Sequence, residues 1–254
     1  MAPRSLWNGT ITFGAVAVPV KLHSAVEAKT VHFHEVHLKD GSRIEHRTFC
    51  SKEGKEVPKD DVVKGFEVRS GHYVVVDQQE IDAAGGTRSR IIDVEHFVPV
   101  ADIDPVYYVK SYFLGAQDDG ADAFRLLHDA LAQTARAAIG RFTFHHREYL
   151  VAIRAYEGVL VLHTMRLAGA LVTRKDLDPP RAASKPAKRE TDMAKRLIDS
   201  LHEDFKPGRL HDEYREAVLA AIKAKAKGKE IAAQEPEPEE EPDDLTAALE
   251  ASLA

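Results

Sequence analysis

One cysteine, one tryptophan and three methionines are all that the 254 residues hold of these types, and each scarcity closes a route. Cys50 alone makes no intramolecular disulfide, and a single thiol falls short of the paired spacing that structural zinc sites use. A reducing cytoplasm is the expected compartment. No stretch approaches the roughly 18 uninterrupted apolar residues of a membrane span, and the opening MAPRSLWNGTITFG lacks the charged-then-apolar layout of a signal peptide. Phosphate-cradling glycine loops, a GxSxG elbow, an HExxH helix and a CxxC pair are all missing, so nucleotide binding, nucleophilic catalysis and zinc hydrolysis lack support. The chain reads as a non-enzyme with no cofactor. What it does have is 44% apolar residues, enough for a core that needs no staples.

Positive charge looks scarce as well, with a net −6, but the average hides opposed segments. Residues 230–254 hold nine acidic and no basic side chains, which leaves residues 1–229 at +3. Within that body, residues 136–175 and 181–229 each stand at +5. The second half of the body is where cations concentrate.

The first hundred or so residues alternate apolar and polar positions between turn residues, the signature of strands. Ile11 and Phe13 lead through Gly14, read as a bulge, into Val18, Val20 and Leu22, and Pro19 suggests an edge or an unpaired face. Lys21 points away from that apolar face. A run from Val31 to Leu38 precedes the turn Asp40-Gly41 and the strand Arg43 to Arg47, polar on both faces and therefore outside any core. Further strands are expected at 72–77, 90–98 and 106–114, with a short helix near 78–84.

Residues 121–139 switch to helical spacing, with Phe124, Leu127, Leu131 and Ala135 on one stripe and Gly140 as the stop. A hairpin follows, turning at Tyr156-Glu157-Gly158. DLDPPRAASKPAK reads as a linker, after which Met193, Leu197 and Leu201 mark one amphipathic helix and Tyr214, Val218 and Ile222 another. QEPEPEEEPDD is too charged and proline-rich to pack, while Leu245, Leu249 and Leu253 predict a short terminal helix. No internal repeat is evident. The expected divisions are 1–178, 179–229 and 230–254.

Thirteen histidines invite a metal reading, with His32 and His34 on one strand face and His37, His46 and Cys50 near in sequence. Metal sites need three or four convergent ligands, so hydrogen-bonded surface histidines are the plainer reading. The basic side chains say more. Arg43 and Arg47 share a face of a two-sided-polar strand flanked by Lys39 and Lys52, an arrangement suited to a phosphate backbone. With no recognition helix, zinc finger or aromatic RNA-binding strand, such binding would depend on charge and duplex shape.

Several spaced blocks resemble the bacterial Ku family: Trp7 to Gly14 with Val18 to Leu22, Val63 to Glu67 with His72 to Val75, Ile103 to Tyr108, Ile139 to Phe142, Arg147 to Leu150, Leu160 to Arg166, Leu197 to Leu201 and His211 to Glu216. The resemblance runs in register over roughly residues 5–229. It implies a mixed, β-rich fold: a Ku-type β-barrel core with extended bridging arm strands, one mid-chain helix and C-terminal amphipathic helices. It also implies a homodimeric ring that admits double-stranded DNA ends without sequence preference and recruits a multidomain ATP-dependent DNA ligase in non-homologous end joining, nucleoid-associated at breaks. On that reading the candidate phosphate contacts are Lys21, Lys39, Arg43, Arg47, Lys52, Arg141 and Arg147. Met193, Leu197, Leu201, Tyr214 and Val218 are candidates for dimerisation, and Leu245, Leu249 and Leu253 for ligase recruitment. Two departures stand out. Some relatives carry cysteine pairs around residues 40–53, where this chain has Asp40, Cys50 and Glu53, and its tail is acidic where some relatives have basic extensions.

Overall fold

The computed structural model describes residues 4–27, 29–84, 90–145, 147–173, 177, 187–229 and 252. Two compact units emerge, Met1–Ala28 with Glu35–Arg174 and Lys29–His34 with Lys175–Ala254.

In the first unit, seven strands close into a barrel: β1 (Trp7–Phe13), β2 (Val16–Ser24), β5 (Ile91–Pro99), β6 (Tyr108–Ala116), β7 (Arg136–Phe144), β8 (Arg147–Tyr156) and β9 (Val159–Met165). A two-stranded hairpin, β3 (Lys64–Arg69) and β4 (His72–Val76), and a short helix, α1 (Gln78–Ala84), lie between β2 and β5 in the chain. The barrel order is β1-β2-β6-β9-β8-β7-β5, and the parallel pairing of β1 with β5 closes it, so its strands have no open edge. Alternation selects the interior. Ile11, Val18, Val20, Leu22, Ile92, Leu114, Phe142, Ile153, Leu160 and Leu162 are fully buried, and Trp7 meets Phe142 edge-on at 5.0 Å between ring centroids. Helix α2 (Ala121–Thr134) adds Leu127 and Leu131 to the same core.

Three local expectations need correction, and the unpaired side expected at Pro19 is found although its strand is not an edge. Helix α2 stops at Thr134, with Ala135 left-handed at its end, and residues 136–139 belong to β7 because both β5 and β8 pair with them. Gly140 is therefore no helix stop. It sits mid-strand, where a Cβ would collide with the carbonyl oxygen of Asp93 across the β5 bulge. Gly14, read as a bulge, is instead the first residue of the two-residue β1–β2 turn, with φ +57°. Pro19 lies inside a paired strand: its carbonyl accepts from the Gln117 amide at the end of the β2–β6 ladder, so its missing donor falls where pairing stops.

The region expected to form strands at 31–38 and 43–47 has none. In its place are two successive turns of the same build. In the first, Gly41 N donates to His37 O, His37 N to Ser42 O and Ile44 N to Glu35 O, around a Val36–Arg43 bridge. In the second, Gly54 N donates to Cys50 O, Cys50 N to Lys55 O and Val57 N to Thr48 O, around a Phe49–Glu56 bridge. Every position is displaced by 13 residues, and Gly41 and Gly54 have φ of +70° and +64°, open to glycine at no steric cost. A structural repeat exists here that the alternating pattern conceals.

On the outer barrel wall His163 is buried, and it lies 2.9 Å from Ser111 Oγ through Nδ1. Arg154 Nε donates to His163 Nε2 at 3.1 Å. An arginine only donates, so Nε2 is the acceptor and the ring proton sits on Nδ1, donated to Ser111. Burial first, and the Arg154 charge second, push the His163 pKa down from 6.5 to about 4. A depressed histidine pKa means that the unfolded chain takes up the proton first: this contribution is whole above pH 6.5 and is lost as pH falls toward 4. Wild type is expected to lose about 2 kcal/mol more over that window than His163→Gln, read from urea midpoints.

The second unit contains α3 (Lys188–Ser200) and α4 (Glu213–Ala226). Asp212 caps α4, its Oδ1 accepting from Arg215 N at 2.9 Å, and Arg215 Nε donates to Lys29 O at 2.7 Å. Among the described residues no helix is long and apolar enough to cross a membrane.

Candidate nucleic-acid interface

From Glu35 to Val76 no residue is buried, and only Cys50, Val57 and Val76 are even half-buried. This is the arm, and it carries eight basic and eight acidic side chains. Local chemistry separates the two signs. Glu35 is 2.7 Å from His46 Nε2, and Arg47 takes Glu56 at 3.2 Å and Glu45 at 3.8 Å. Asp40 Oδ1 accepts from Ser42 N at 3.0 Å, from Ser42 Oγ at 2.7 Å and from His37 Nδ1 at 3.0 Å, which holds its carboxyl below the ordinary range. Glu67 accepts from Gly71 N at 2.8 Å. Five of the eight acids thus have partners within the arm, whereas Lys39, Lys52, Lys55, Lys59 and Arg69 have no ion pair among the described residues. Glu53, Asp60 and Asp61 have no ion pair among the described residues either, so five cations stand against three acids, although the formal sum of the arm is zero.

Lys39 and Lys52 occupy the same position in the two repeated turns, each just before an acidic residue and a left-handed glycine. They are exposed and project from tight turns, the placement of a backbone-contacting amine. Arg43 and Arg47 lie between them in sequence, but Arg47 is occupied by its two glutamates. On the barrel, Lys21 Nζ is 3.4 Å from Asp118. Arg141 is clamped, its Nε donating to Glu95 at 2.8 Å and its Nη1 to Glu148 at 2.7 Å, which raises its pKa further. Arg147 lies over the Tyr149 ring at 5.4 Å. The arm therefore gathers Lys39, Arg43, Arg47 and Lys52, while Arg141 is committed to structural pairing. Lys55, Lys59 and Arg69 were overlooked in sequence. Their signal was present, since each follows or precedes a turn residue, but nothing local distinguishes them from paired cations.

Among the candidates for dimerisation, Met193, Leu197 and Val218 are half-buried, and Leu201 and Tyr214 are 72% and 78% exposed. Leu245, Leu249 and Leu253 lie outside the described residues. No group of three or more His, Cys, Asp and Glu side chains among the described residues converges as metal ligands.

The family model described as the Ku70/Ku80 beta-barrel domain matches residues 12–193. A protein of Anaeromyxobacter sp. (strain K) named "Non-homologous end joining protein Ku" is 42% identical over 253 residues, 99% of this chain and 85% of that protein. One of the same name from Solibacter usitatus (strain Ellin6076) is 37% identical over 90% of this chain and 85% of its own length. "Non-homologous end joining protein Ku 1" of Geotalea uraniireducens (strain Rf4) is 36% identical over 98% and 96%. The matched region takes in the last of β1, the arm, the rest of the barrel and the start of α3, and on that extent the chain belongs to the Ku family.

Proposed function

We propose that two copies of this chain enclose the end of a double-stranded DNA, grip its phosphates without reading bases, and bring an ATP-dependent DNA ligase to the break in non-homologous end joining. The chain itself performs no chemical step; joining belongs to the ligase. The observation that carries the reading is the arm, forty-odd residues without a buried side chain between the second and third barrel strands. A segment so solvated has no core to justify it, and lysines at its turn tips with no ion pair among the described residues suit a polyanion.

The pairing of two copies is supported by the β3–β4 hairpin. Phe66 faces Val74 on one side, and Tyr73 packs on Gly65 beside Val75 on the other, yet all four large residues are more than half exposed. A two-stranded hairpin alone is marginal in water, and apolar groups on both faces call for a covering surface. A second arm supplies a matching one by symmetry. Met193, Leu197, Leu201, Tyr214 and Val218 extend the same need to the C-terminal helices. The acidic tail with Leu245, Leu249 and Leu253 repels DNA and suits a protein partner, the ligase.

Replacing Lys39 and Lys52 together by alanine is expected to weaken binding roughly tenfold at moderate salt and to flatten the log–log salt dependence by about 1.8, near 0.9 per lost phosphate contact. Fluorescence anisotropy on duplexes of several sequences checks it. The loss should be equal for all of them; an altered sequence preference would count against a backbone-only grip.

A further inference from the structure

Helix α2 leaves a groove of about 500 Å³ open beside it on the barrel. One wall is the helix, through Ala123, Leu126 and Ala130; the other is the β1–β2 turn with β5, through Phe13, Val16 and Phe97, the two rings meeting edge-on at 5.8 Å. Leu126, Val16 and Phe97 are exposed, so an almost wholly apolar lining faces water. From Ala123 to Thr134 the groove runs about 17 Å, the length of about three helical turns. Its rim and its far end carry opposite charges. Asp122 and Asp129 stand one turn before and after Leu126, and Arg136 closes the end beyond Thr134. Asp129 lies 2.9 Å from the neighbouring His128, while Asp122 and Arg136 have no ion pair among the described residues.

We propose that this groove docks an amphipathic helix of a partner protein, with apolar side chains at i, i+4 and i+7 seated against Leu126 and Phe97, a cation toward Asp122 and a carboxylate toward Arg136. A strand gains nothing here, because the closed barrel offers no free edge for it to pair with. Nucleic acid is disfavoured, since the carboxylates on the rim repel phosphate. The same charges disfavour a second copy: two α2 helices packed at Leu126 would bring Asp122 and Asp129 of each against those of the other. The inference goes beyond DNA-end binding and does not rest on it.

The probe is a fluorescein-labelled peptide of about twelve residues, held helical by a side-chain lactam, with leucines at i, i+4 and i+7, a lysine in its first turn and a glutamate in its last. Titrated by anisotropy with the full-length protein, it is expected to bind at one site, roughly fivefold tighter than a version with glutamine at both charged positions. Leu126→Asp should weaken it at least about tenfold and Leu126→Ala roughly threefold, both close to the wild-type melting temperature. In Asp122→Asn with Arg136→Gln the fivefold preference should vanish. No binding up to about 1 mM peptide, undiminished binding to Leu126→Asp, or equal affinity for the charged and glutamine peptides would overturn the proposal. So would either rival occupant. A lower mass in light scattering for Leu126→Asp than for wild type would name a second copy, and peptide uptake confined to Leu245→Asp with Leu249→Asp would name the chain's own terminal segment.

Discussion

Linear duplex with open ends is expected to outcompete the same sequence closed at both ends by hairpins or streptavidin by at least about two orders of magnitude, roughly 2.7 kcal/mol. Covalently closed circles of equal length should compete as poorly as the blocked duplex. The physical reason is topological: an enclosure formed by two chains admits a double helix only where it ends, whereas a cationic surface without closure binds phosphate anywhere along it. If a second copy covers the exposed faces of Phe66, Val74, Tyr73 and Val75, as proposed, light scattering should return a mass twice the 28.1 kDa of the chain. Equal retention of circles and open duplex, or a single-chain mass at micromolar concentration, would remove the enclosure and leave a general DNA-binding scaffold.

Phe142→Ala should lower stability by about 3–5 kcal/mol, since truncating a fully buried ring leaves a cavity that a closed barrel has little freedom to collapse. The ring sits at 0% exposure on β7, with Trp7 edge-on at 5.0 Å, Phe144 stacked at 5.5 Å and Ile92 and Tyr149 directly across the neighbouring strands. For a domain of this size the melting temperature should fall on the order of 10 °C. Leu126→Ala is the control: at 70% exposure its side chain has little to lose, and its effect should lie within about 0.5 kcal/mol. Equal melting of the two variants would mean that the barrel interior is not where stability resides.

Much of the barrel was readable beforehand. The β8–β9 hairpin declared itself through alternation around Glu157-Gly158, whose φ values of +42° and +81° fit the tight turn. The barrel itself came from family resemblance, since alternation marks strands without stating their neighbours. Helix α2 was overextended because Ala137, Ala138 and Ile139 continue an acceptable helical stripe; two flanking strands, one of them distant in sequence, override that propensity. The arm failed in the opposite sense. Residues 31–47 satisfy a two-residue period, but no strand lies beside them to pair with, so the backbone closes on itself in turns. The 13-residue repeat was visible in principle through Lys39-Asp40-Gly41 and Lys52-Glu53-Gly54, though with only Lys and Gly in common it stands out once the hydrogen bonds coincide.

Charge divides along the same line. That the arm holds as many cations as acids, and that cations concentrate in the second half of the body, follows from composition alone. Which of them remain available does not: Arg141 is neutralised by Glu95, 46 residues away, and Arg47 by Glu56 across a turn, while Lys39 and Lys52 have no ion pair among the described residues. Residue order by itself determined the apolar alternation, the turn glycines, the segregation of the acidic tail and the family blocks, because these are properties of neighbours along the chain. Barrel closure, the end of α2, the paired turns and the identity of the uncommitted lysines were decided only by tertiary structure, because each depends on which distant group arrives within hydrogen-bonding reach.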